Sequence, residues 1–125
     1  MTRKLLEKWP EILNNLAVGI TLFAATHIII WFQVNGQFVW PWAKENPILM
    51  ALIGFPISYI LIIATKYVVA GFDGLLWPGR LLGFGLGMII MAILTWYILG
   101  EGISTKTLVS LTLAVTLVML QVLWK

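Results

Sequence analysis

The chain contains no cysteine. That removes disulfides, thiolate nucleophiles and cysteine-ligated metals from consideration, and it leaves the compartment open. Charge is almost as scarce: 10% of the 125 residues are Asp, Glu, Lys or Arg, against about 25% in an ordinary soluble domain. So few charges cannot clothe a water-facing surface. Acids are the scarcest class, five in all, and Glu7, Glu11, Glu45, Asp73 and Glu101 all fall in predicted ends or loops. A single histidine stands in the chain. There are no paired acids, no nucleophile triad, no metal-ligand cluster, no phosphate loop and no HExxH pattern. The expectation is a protein that is not an enzyme and carries neither metal nor cofactor.

Apolar residues fill the space that charge leaves. They make up 61% of the chain, and mean hydropathy is +0.99. A bilayer span needs about 20 apolar residues, and four stretches reach that length. The expected fold is all-α: a single membrane domain over residues 1–125, with four transmembrane helices in an antiparallel bundle. The spans are placed at about residues 16–34, 47–65, 81–99 and 107–124. Residues 2–13 form an amphipathic lead-in, with Leu5, Leu6, Trp9 and Leu13 near one face. Pro10 is expected to bend this lead-in into the first span. Arg3, Lys4 and Lys8 followed by an apolar run resemble a signal peptide. The run is too long, however, and no small-residue cleavage site follows it, so it reads as a retained span.

Basic residues and tryptophans give the expected orientation. Arg3, Lys4, Lys8, Lys66, Arg80 and Lys125 fall on one side; Lys44 and Lys106 fall on the other. By the positive-inside rule both termini are cytoplasmic, in a cell inner or plasma membrane. Trp9, Trp77 and Trp124 sit at the first boundary and Trp31, Trp40, Trp42 and Trp96 toward the second, as aromatic belts require. The net charge of +3 therefore reads as headgroup contact. With no basic patch interleaved by aromatics, nucleic acid is not an expected partner.

Within the spans, a few residues break the apolar pattern. Gly79, Gly83 and Gly87 share one helical face, with Gly85 beside it, and a face without side chains lets another backbone come close. Its partner is the fourth span, a second subunit, or a solute lining the face. Ser110 and Ala114 offer a similar small-residue stripe on the fourth span. Gly54 and Pro56 predict a kink near Phe55, where Ser58 could serve a freed carbonyl. His27 is the one residue in a span that titrates near neutral pH, and such a residue is a functional candidate. It could be structural, contact a proton or solute, or ligate a metal. A bis-histidine haem would need the second ligand from elsewhere. Trp31 and Tyr59 join His27 as candidate solute contacts.

The stretch Ile93-Leu94-Thr95-Trp96-Tyr97-Ile98-Leu99-Gly100-Glu101-Gly102-Ile103-Ser104, followed by an apolar span, resembles the end of the third helix and the hairpin turn of the small multidrug resistance family. Trp40-Pro41 is similar to a Leu-Trp-Pro after that family's first loop. The wider group is the drug/metabolite transporter superfamily. The resemblance implies a four-helix transporter acting as a homo-oligomer. It does not imply proton-coupled cation export, because the family's first-helix glutamate is missing from Thr21-Leu22-Phe23-Ala24-Ala25-Thr26-His27. Transport of a small solute by a homodimer is thus one expectation. The other is a non-catalytic accessory subunit that packs with a partner membrane subunit.

Overall fold

The computed structural model describes residues 3–124. Thr2, at the start of the lead-in, and Lys125, one of the basic residues counted above, lie outside the described residues. Everything regular among the described residues is helical. Helix α1 spans Arg3–Asn35, and a 3-10 turn follows at Gly36–Phe38. Two short helices come next, α2 at Pro41–Glu45 and α3 at Pro47–Leu52. Helix α4 covers Gly54–Gly71 and α5 covers Leu76–Leu94. A π turn at Thr95–Leu99 ends α5, and α6 covers Thr105–Leu123. Four segments are long and apolar enough to cross a membrane: Leu6–Phe38, Pro47–Gly71, Leu76–Leu99 and Thr105–Leu123.

Three boundaries differ from the sequence expectation, each for a physical reason. The lead-in and first span form one continuous helix of 33 residues, with Pro10 inside it. Pro10 forfeits only its bond to the Leu6 carbonyl, and Leu6 lies on an exposed turn. Residues 66–80, between the second and third spans as placed from the sequence, are mostly helical. Residues 66–71 complete α4, and Pro78 sits in the first turn of α5, where a missing N–H costs nothing. Only residues 72–75 connect the two helices, with Asp73 at φ 54° and Gly74 at φ 83°. The break in the second span falls at Ile53, between α3 and α4. This is one turn before Pro56, whose absent N–H leaves the Leu52 carbonyl without its helical donor.

Small residues set how the helices meet. Leu16 of α1 fills the space at Gly71, and Gly19 lies against Val68 and the Ala64 carbonyl. Further along, Gln33 meets Gly54. Numbers thus rise on α1 as they fall on α4. Against α5 they rise together, with Phe23 at Gly83 and His27 at Gly87. Phe23, Ala64 and Val68 form the buried core, with Leu22, Leu61, Phe72, Leu82 and Leu86 packed around it. Among the described residues helix α6 packs on α5 alone. Ser104 caps it by accepting the Thr107 N–H at 3.2 Å.

Candidate functional site

The three candidate solute residues do not converge. His27 lies on α1 with its ring against the bare backbone of α5 at Gly87. A methyl group added there would stand 2.9 Å from the ring Cε1. His27 is half-buried between spans. Trp31, one turn further along α1, is only 3% exposed. Tyr59 is elsewhere: it is 64% exposed on the outside of α4.

The glycine face of α5 is occupied from within the chain. Gly79 takes Val68 of α4, while Gly83 and Gly87 take Phe23 and His27 of α1. This corrects the expectation that these glycines meet the fourth span or a second subunit. Gly85, on the other side of α5, is the one that meets α6, at Val118. Ala114 is buried in the same contact, whereas Ser110 is exposed and donates to its own Lys106 carbonyl. Only one member of the Ser110/Ala114 stripe is therefore a packing residue.

Sequence reasoning missed a polar cluster at the end of α1. Trp31 Nε1 donates to Thr95 Oγ1 at 3.0 Å, at the first residue of the π turn. Asn35 Nδ2 approaches Met91 Sδ at 3.9 Å, and Thr95 Oγ1 lies 3.5 Å from the same sulfur. Toward α3, Gln33 Nε2 donates to the Met50 carbonyl at 3.0 Å, just before the break at Ile53. Gln33 rather than Ser58 thus serves the interrupted helix. Phe32 stacks on Trp40 at 5.8 Å and ties the following loop back to α1. The available signal was the spacing of Trp31 and Asn35, four apart on one helix face, with polar Gln33 between them in an apolar run.

The described surface carries open depressions, two of which are large. One, of about 550 Å³, is lined by Gln37, Phe38, Trp40, Pro41, Lys44 and Glu45, beyond the end of α1. The other, of about 370 Å³, runs along α6 between Leu111, Thr112, Val115, Thr116 and Met119. The Thr112 and Thr116 hydroxyls are turned to their own helix, donating to the Leu108 and Thr112 carbonyls at 2.9 and 2.7 Å. The second groove is therefore apolar although two threonines line it. Among the described residues no three His, Asp or Glu side chains gather as metal ligands would.

These features define a class: an all-helical protein with four helices long and apolar enough to cross a membrane. Beyond the class, comparison with known proteins finds no matching family model, no matching curated protein and no matching solved structure.

Proposed function

We propose that the chain is a small membrane transport protein that moves a solute along the contact between copies of itself, both termini facing the cytoplasm. One observation carries the reading: among the described residues α6 is held by α5 alone. Most of α6 is uncovered, including an apolar groove of about 370 Å³. Within the single chain, the space between the other three spans is taken up by Val68, Phe23, His27 and Trp31. A path for a solute then belongs between copies, as it does where small helical units pair to frame a site. The polar-capable side chains along such a path are Thr112 and Thr116; His27 and Trp31 are packed inside the chain and Tyr59 is exposed on α4.

The opposed numbering of α1 and α4 supports an antiparallel bundle. The shared contact of Val68 with Gly19 and Gly79 supports one level for the start of the first span, the end of the second and the start of the third. Lys8, Lys66 and Arg80 are then on one side and Lys44 and Lys106 on the other. This grouping is what the positive-inside rule uses to put the termini inside.

A second reading, the accessory subunit of a larger membrane complex, is favoured by the lack of any carboxylate in residues 16–34, 47–65, 81–99 and 107–124, the acids of α1 being Glu7 and Glu11 near its start. Coupled transporters commonly place one at the midplane. Native mass spectrometry after gentle extraction from the source membrane separates the two. A discrete homodimer is expected. Stoichiometric recovery with other proteins would contradict the transport reading and establish the accessory one. Reporters fused to both ends are expected inside; either one outside would overturn the orientation.

A further inference from the structure

Six helical hydroxyls in this chain share one arrangement, and Thr95 departs from it. Thr21, Thr26, Thr65, Ser110, Thr112 and Thr116 each donate to the carbonyl four residues back, at 2.7 to 3.0 Å. This is the ordinary resting place of a hydroxyl in an apolar helix. Thr95 instead accepts from Trp31 Nε1 and lies against the Met91 sulfur. At that same residue the α-helix gives way to the π turn Thr95–Leu99. A π turn winds one extra residue and is uncommon outside places where a structure makes use of it. The far end of the turn is free to adjust. Gly100 has φ 71°, and nothing lies within 4 Å of where a side chain at Gly100 or Gly102 would begin.

We propose that Thr95 is a two-position switch that Trp31 holds in one position. With Trp31 bonded, the hydroxyl is drawn toward α1 and the end of the third span is π-wound. With Trp31 released, the hydroxyl falls back on the Met91 carbonyl, as in the six other cases, and the turn rewinds as α-helix. Rewinding rotates the side chains by an amount that grows along the turn, through Trp96 and Tyr97, to about 100° at its far end, the rotation of one residue. Residues 100–104 take up the displaced residue, so the latch also sets how α6 is seated on α5. This device does not depend on what the protein transports, or on whether it transports anything.

Hydrogen exchange on the full chain in lipid nanodiscs tests it. Trp31→Phe keeps an aromatic ring and removes the N–H. It is expected to slow exchange of the amides in residues 96–99, which take α-helical partners, and to raise it in residues 100–104 about fivefold, the factor that one lost hydrogen bond of ordinary net strength gives. Exchange in residues 64–71 and 79–87 stays unchanged. Thr95→Val, which keeps shape and removes the hydroxyl, gives the same pattern, and the two substitutions together add nothing to either alone. Thr95→Ser retains the wild-type pattern. Unchanged exchange in Trp31→Phe and Thr95→Val would overturn the proposal. So would a rise spread evenly over residues 64–104, which would mean a loosened bundle.

Discussion

The first three spans and the fourth are built from similar apolar residues and are held in different ways. Spans one to three meet at glycines, where a backbone or a ring lies directly on a helix without side chains: Gly19 and Gly71 between α1 and α4, Gly79, Gly83 and Gly87 on α5. Without a hydrophobic drive between helices in lipid, such close approach is what makes association favourable. The fourth span has one comparable contact, Gly85 with Val118, beside buried Ala114. The difference separates a closed three-helix core from a helix that still has a face to cover.

Overfilling the core should have the largest effect. Gly19→Leu would drive its side chain into Val68 and within about 3 Å of the α4 backbone, at Val68 N and the Ala64 carbonyl. Backbone cannot step aside as a side-chain tip can, so a loss of about 3 kcal/mol, the upper end for overpacking, is expected in thermal unfolding in mild detergent. An unchanged midpoint would break the contrast. Gly85→Leu comes next. Its first carbon would lie 2.6 Å from Val118 Cγ2, so α6 should shift from its seat while α1, α4 and α5 stay folded. Limited proteolysis should then cut at residues 100–104 with the core surviving. Simultaneous loss of all four spans would show that α6 belongs to the core.

Gly87→Ala sharpens the picture within the core. The added methyl group meets the His27 ring at 2.9 to 3.4 Å. A cost of about 1 kcal/mol is expected, and it should vanish in the background of His27→Ala, which empties the space. Additive losses in that double-mutant cycle would mean the two residues do not touch. The smallest effect belongs to Tyr59→Phe. Its side chain is exposed on α4, so stability should move by less than about 0.5 kcal/mol and activity not at all. A lost activity would restore Tyr59 as a solute contact.

The four spans were legible because a run of about 20 apolar residues has few other uses. The second-span irregularity was legible at Gly54 and Pro56. The start of α5 was not: Pro78, Gly79 and Arg80 look like loop residues, yet a proline fits the first turn of a helix without loss. The glycine face of α5 could be read from spacing. Its partner could not, since a bare helix face accepts any neighbour and only the register chose α1 and α4. The bond from Trp31 to Thr95 joins residues 64 positions apart, a relation that no local pattern encodes. Tyr59 was grouped with His27 because both lie in mid-span. Depth along a helix says nothing about which face a residue takes.

Cross-linking in the native membrane tests most directly the claim that the fourth span meets a second copy. The chain has no cysteine of its own, so each introduced thiol reports alone. Thr116→Cys lies in the α6 groove, and Ile62→Cys, 70% exposed on α4, serves as the comparison. Disulfide-linked dimers of the chain are expected from Thr116→Cys and none from Ile62→Cys. Dimers from α4 alone, or from neither position, would contradict that claim.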